Sequence, residues 1–213
     1  MTKHSLKPTL AILLCLCLWQ SAVAAAPSTI LVMGDSLSAA YGIGTGQGWV
    51  SLLEQRLKAR GRDFRVVNAS ISGETSGGGL TRLPGALDAY HPELVILELG
   101  ANDGLRGLDP GLLRHNLTRM IELIRRHDAK VLLTAVKIPA NYGEDYRSRY
   151  HNVYKTVATR TGVPLVPFLL AGVAQNPALI QEDGLHPTAQ AQPRILDNVW
   201  SKLAPLLDEI PAE

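Results

Sequence analysis

Cysteine is almost missing from this chain. There are two, Cys15 and Cys17, and both fall in an apolar stretch near the N-terminus, Thr9 through Trp19. The rest of the chain therefore offers no disulfide scaffold, no thiolate nucleophile and no cysteine-ligated metal. An excess of one charge is missing too. The 21 Lys+Arg face 19 Asp+Glu, and without Lys3 and Lys7 the two counts are equal. Such a chain carries no electrostatic footprint for nucleic acid. Arg125-Arg126-His127 is a small basic cluster at an expected helix end, where it complements the helix dipole. Metal-ligand spacing is absent among His4, His91, His115, His127 and His151, which read as surface or satisfied residues. No repeat or low-complexity tract appears.

No apolar run is long enough to span a bilayer. Thr9–Trp19 instead sits between a basic start (Lys3, His4, Lys7) and the small-residue triplet Ala22-Val23-Ala24. That pattern predicts a signal peptide over residues 1–24, cleaved before Ala25, and one domain over residues 25–213. An uncleaved membrane anchor is the alternative. Leucine, not a small residue, precedes each cysteine, which argues against a lipid-modified N-terminus. The expectation is a periplasmic or secreted protein, monomeric, with no stable membrane insertion once the signal is removed. The remaining 189 of 213 residues suit a single sizeable core.

Five β-like apolar runs alternate with helical patterns: Ile30–Met33, Phe64–Val67, Leu94–Leu99, Val131–Val136 and Val163–Val166. The third and fourth are almost continuously apolar, as in strands covered on both faces. Trp49–Arg60 has helical spacing and stops at Gly61; Asp109-Pro110 opens a second helix, and Leu196, Val199, Trp200, Leu203 and Leu207 mark a closing one. Alternating strand and helix predicts a single three-layer α/β/α domain on a five-stranded parallel sheet.

In such sheets ligands bind beyond the carboxyl ends of the strands. Four polar segments fall there: Gly34-Asp35-Ser36-Leu37-Ser38, Asn68–Gly73, Gly100–Gly104 and Asp183-Gly184-Leu185-His186-Pro187. A serine presented at a strand end is a candidate nucleophile, and a following helix would aim free N–H groups at it. A serine hydroxyl needs a base, which His186 supplies. Asp183, three residues earlier, suits the other ring nitrogen. Asp103 is the alternative partner. The backbone N–H groups of Ser36 and Gly73 and the Asn102 amide are candidate oxyanion donors. No Gly-x-Ser-x-Gly elbow is present, which argues against an α/β-hydrolase.

With these segments in this order, the chain resembles the SGNH (GDSL) hydrolases. The name-giving serine, glycine, asparagine and histidine are matched by Ser36, Gly73, Asn102 and His186, and Pro139-Ala140-Asn141-Tyr142-Gly143 adds a further block. The resemblance is strongest to the periplasmic bacterial members that act as thioesterase, arylesterase and lysophospholipase. It implies a flavodoxin-like sheet, no cofactor, and a shallow site for a small-molecule acyl ester or thioester. Catalysis would pass through an acyl-enzyme on Ser36. A carbohydrate O-deacetylase on the same fold and a non-catalytic exported binding module are the competing readings. Ile138 and Leu185, expected near the site, favour acyl chains slightly over sugars. The run Gly77-Gly78-Gly79 departs from the family pattern. It reads equally as a mobile lid over the acyl site or as a glycine-rich approach to a helix around Leu80–Tyr90.

Overall fold

The computed structural model describes residues 27–210. The expected signal peptide and both cysteines lie outside them. Five parallel strands form one sheet in the order β2-β1-β3-β4-β5: β1 Ser28–Gly34, β2 Phe64–Asn68, β3 Leu94–Glu98, β4 Lys130–Thr134 and β5 Leu165–Val166. The central strands are buried because helices cover both faces. Ile30–Met33 and Leu94–Leu97 have no exposed surface. Among the described residues six α-helices accompany them: α1 Trp49–Ala59, α2 Ser76–Tyr90, α3 Ala101–Leu105, α4 Pro110–Arg126, α5 Glu144–Thr161 and α6 Gln192–Asp208. Helix α1 packs on α6 across one face; α2 packs on α4, and α4 on α5, across the other. This is the expected three-layer architecture.

The chain runs from β1 outward to β2, then returns to place β3 on the other side of β1. Neighbouring crossovers therefore leave in opposite directions between β1 and β3, opening a crevice at their carboxyl ends. The segments after Gly34 and after Glu98 flank that crevice.

Three expectations need correction. No helix follows Ser36 directly. Residues 36–41 form turns, and α1 starts only at Trp49. Positive φ at Ala40 and Gly42, with glycine again at 44, 46 and 48, interrupts helical propagation. The last strand is two residues long, not four. Pro164 has no N–H for a ladder, although its carbonyl accepts from Leu133 N at 3.0 Å. Finally, Gly77–Gly79 is not a loop. Thr75 caps α2 by accepting from Gly78 N at 3.2 Å, and the three glycines form its first turn. A Cβ on Gly79 would lie 2.3 Å from Leu99 Cδ1, so this helix start lies tight against the end of the central sheet.

Candidate active site

The turn after β1 is built on Asp35, whose carbonyl accepts from Ser38 N at 3.2 Å and Ala39 N at 2.9 Å. Its Oδ1 accepts from Leu37 N at 3.0 Å. Leu37 and the carbonyl-bound residues are thereby fixed, and Ser36 is held at the apex. The opposing segment, Gln181–Pro187, is closed by Gln181 N donating to His186 O at 2.8 Å, with Gly184 in left-handed conformation. Gln181 Nε2 donates to Tyr41 O and to Pro187 O, both at 2.9 Å, tying this loop to the serine turn.

These supports bring together residues 150 apart in sequence: Ser36 Oγ lies 2.8 Å from His186 Nε2. His186 Nδ1 lies 2.6 Å from Asp183 Oδ2. Asp183 Oδ1 accepts from Leu185 N at 2.9 Å and His186 N at 3.0 Å. The His186 N–H, then the Leu185 N–H and the imidazole, hold the Asp183 carboxyl at about 2. It is therefore a fixed anion beside the ring at any neutral pH. The Tyr41 ring lies 4.4 Å from the imidazole, centroid to centroid, tilted by 39°. Asp103, the alternative partner, is elsewhere. Buried, it accepts from Ser76 N at 2.7 Å and Ser76 Oγ at 2.5 Å. Asn116 Nδ2 completes that cluster by donating to Ser76 Oγ at 2.9 Å.

Gly73 has φ +81°, which aims its backbone in a way a side chain would oppose. Among the described residues, neither Ser36 N–H nor Gly73 N–H donates to a protein acceptor. Asn102 differs. Its Nδ2 donates to Glu74 O at 2.9 Å and to Asp35 Oδ2 at 3.2 Å. Asn102 sits on α3, after Gly100 at φ +120°, where a Cβ would strike the Tyr154 hydroxyl at 2.2 Å. Four tyrosines at i,i+4 spacing brace the same segment. Tyr142 donates to Leu105 O at 2.7 Å, Tyr146 to Leu108 O at 2.7 Å, Tyr150 to Gly100 O at 2.6 Å and Tyr154 to Leu99 O at 3.0 Å.

Beneath the serine lies a buried acid pair. Glu98 Oε2 accepts from Ser38 Oγ at 2.7 Å and from Asp35 N at 3.3 Å. Burial pushes the Asp35 carboxyl up to about 7, against the pull of the Leu37 N–H and of His186. Burial, and then the charge of Asp35, raises Glu98 well above the carboxylate range. Neither Asp35 as a structural acid nor Glu98 stands among the expected site residues. Glu98 did carry a signal: it is the one carboxylate inside the run Leu94–Leu99. An isolated charge in a buried strand needs a reason.

The constellation opens into a cavity of about 660 Å³, within the size range of small-molecule sites. Ser36, Gly73, Asn102 and His186 line it together, with an apolar wall that includes Leu105, Ile138, Phe168, Leu170, Ile180 and Leu185. The aliphatic pair expected near the site, Ile138 and Leu185, is thus in its wall. Gly77–Gly79 is not.

The profile of the GDSL-like Lipase/Acylhydrolase family matches residues 32–193. The chain is 52% identical to Esterase TesA of Pseudomonas aeruginosa, over 91% of this chain and 96% of that one. It is 40% identical to Thioesterase 1/protease 1/lysophospholipase L1 of Escherichia coli, over 87% of this chain and 88% of that one. The solved structure of the psychrotrophic esterase EstA from a Pseudoalteromonas species, inhibited by monoethylphosphonate, superposes with a TM-score of 0.81. It is 40% identical, covering 85% of this chain and 99% of that one. By profile, identity and fold, the chain belongs to the GDSL-like lipase/acylhydrolase (SGNH hydrolase) family of enzymes.

Proposed function

We propose that this protein is an exported serine esterase and thioesterase that cleaves acyl esters and thioesters through an acyl-enzyme on Ser36. The observation that carries the reading is the unbroken chain from Ser36 Oγ through His186 to Asp183, with Ser36 and His186 in the wall of a largely apolar cavity. With Nδ1–H donating to Asp183, Nε2 is the free base for the serine hydroxyl.

Ser36 Oγ attacks the carbonyl carbon as its proton passes to His186 Nε2. The tetrahedral oxyanion is met by the N–H groups of Ser36 and Gly73 and by the Asn102 amide. The Asn102 hydrogen that faces Asp35 Oδ2, in the longer of its two bonds, is shared with the oxyanion in a three-centre arrangement, so that Asp35 keeps the amide aimed at it. The intermediate collapses, and imidazolium gives its proton to the leaving oxygen or sulfur. Water then loses a proton to Nε2, attacks the acyl carbon and frees the acid, restoring the serine. Relatives named esterase, thioesterase and lysophospholipase support this substrate class. The apolar wall favours acyl chains over sugars, and no helix among the described residues is long and apolar enough to cross a membrane.

The test is stoichiometric labelling by a fluorophosphonate, with hydrolysis of nitrophenyl esters and acyl thioesters in parallel. Ser36→Ala should abolish labelling and cut turnover by several orders of magnitude, roughly 10⁶ in a well-studied serine protease. Near-normal turnover by that variant would sink the mechanism. Mass spectrometry of the exported protein should find Ala25 at the N-terminus, and an intact Met1 would contradict the signal peptide.

A further inference from the structure

The cavity wall carries two cations for which the hydrolytic steps have no use. Lys137 and Arg147 both line it, and both also line an adjoining recess of about 250 Å³. They therefore stand at the junction of the two spaces. Lys137 is exposed, and its Nζ lies 4.7 Å from the centre of the Phe168 ring, itself part of the cavity wall. Arg147 is half-buried. Its Nε donates to Ile138 O at 3.4 Å, and its two terminal nitrogens have no acceptor among the described residues. Neither cation forms an ion pair among those residues, although five Lys or Arg side chains elsewhere do.

A half-buried guanidinium with a free fork and no counter-ion is poised to bind an oxyanion in bidentate fashion. The first turn of the 18-residue helix α5 lines the same recess, and its N-cap, Gly143, contributes no side-chain cap. Its free N–H groups add partial positive charge. Glu144 in that turn opposes this, leaving the lining of the recess with two cations against one carboxylate. His151 adds no charge there: burial, and then Lys137, lowers its pKa.

We propose that Lys137 and Arg147 form a headgroup subsite that takes the phosphate of a phosphate-bearing acyl substrate while its chain lies along the apolar wall. This deepens the esterase reading and rests on it. One chemistry, a phosphate oxyanion next to an acyl ester or thioester, covers two sources: the phosphodiester of a lysophospholipid and the phosphates of an acyl-CoA.

The experiment compares kcat/KM for three substrates with one acyl chain: a lysophosphatidylglycerol, an acyl-CoA and the uncharged monoacylglycerol. In the double variant Lys137→Gln/Arg147→Gln, the ratio of phosphate-bearing to uncharged substrate should fall about tenfold, through KM, the size of one charge-assisted hydrogen bond. For the charge-keeping pair Lys137→Arg/Arg147→Lys the ratio should fall less than for the Gln pair, since the charge is kept while the Arg147 fork is lost. Glu144→Gln should raise the ratio, and added salt should lower it in the parent. A fall confined to the lipid, or confined to the thioester, identifies the source. Ratios unchanged for both overturn the subsite and leave the esterase reading standing. Failure of the parent to cleave any of the three overturns the esterase reading itself.

Discussion

The Asp35 carboxylate accepts from the Asn102 side-chain amide at 3.2 Å across the crevice between β1 and β3. Its other oxygen accepts from Leu37 N at 3.0 Å. One buried side chain thus joins the turn that presents Ser36 to the helix that presents Asn102. In the proposed mechanism it sets the distance between nucleophile and amide donor without touching substrate.

This makes Asp35 a positioning residue, with a test that separates it from a residue that merely stabilises the fold. Asn102→Ala should lower kcat by about 10²–10³ with KM little changed. Asp35→Asn keeps shape and volume. It cannot accept at both ends, because its amide nitrogen must face either Leu37 N–H or Asn102. Its kcat should fall about tenfold, as for one lost hydrogen bond. The double variant should be no slower than Asn102→Ala alone, since Asp35 acts through Asn102. Multiplying effects on kcat would show that Asp35 works by another route.

Two aspartates compete for the third place in the proposed triad, and the contacts divide their effects. Asp183→Asn should cut kcat by about 10³–10⁴ with the fold intact, because the ring loses its fixed tautomer. Asp103→Asn should instead disturb the buried Ser76 and Asn116 cluster and lower thermal stability, with a smaller change in turnover. Dead Asp103→Asn beside an active Asp183→Asn would reverse the assignment.

The acid pair under the serine makes stability depend on pH. Asp35 is raised from 3.8 to about 7. Between those values the folded chain keeps a proton that the unfolded chain has released. Stability is therefore largest below that window and declines as pH rises through it. Asp183, held down at about 2, works the other way, and its contribution is lost only as pH falls below 3.8 towards 2. Glu98→Gln removes a carboxyl whose charged form burial disfavours, while keeping an acceptor for Ser38 and Asp35 N. The variant should be more stable than the parent at pH 8, by about 1–3 kcal/mol. At pH 5, where both acids are protonated, the difference should nearly vanish. Equal denaturant midpoints at pH 8 would show that burial does not raise the Glu98 carboxyl.

Much of this site could be read in the sequence, for a physical reason. Strand ends mark themselves by a switch from apolar to small polar residues, so the segments that hold Ser36, Gly73 and Asn102 can be read at one edge, whereas His186 lies well beyond the end of β5. Asp183 shares a tight loop with His186, and short range made the pair legible. What escaped detection depends on long-range packing. Glu98 joins Ser38 across two strands, and Asp35 meets Asn102 across the crevice. Lys137 and Arg147 meet only because α5 folds back over the end of β4. The glycine run misled because glycine suits loops by its own freedom, whereas here Leu99 imposes it. The missing Cβ makes room for the Leu99 side chain.

That last point yields its own prediction. Gly77 lies in the first turn of α2 with nothing closer than 3.8 Å to a Cβ, whereas at Gly79 the Cβ would meet the fully buried Leu99 at 2.3 Å. Alanine should therefore act in opposite senses two residues apart. Gly77→Ala should stabilise the protein by up to about 1 kcal/mol, because alanine suits a helix better than glycine. Gly79→Ala should destabilise it by about 1–3 kcal/mol, as Leu99 is forced off its packing. Neither glycine lines the cavity. For Gly77→Ala the ratio of kcat/KM for long and short acyl esters should therefore equal that of the parent. Thermal unfolding and a chain-length series on the same two proteins check both statements. Two like shifts in stability would refute the packing account, and a changed chain-length profile in Gly77→Ala would bring back the lid.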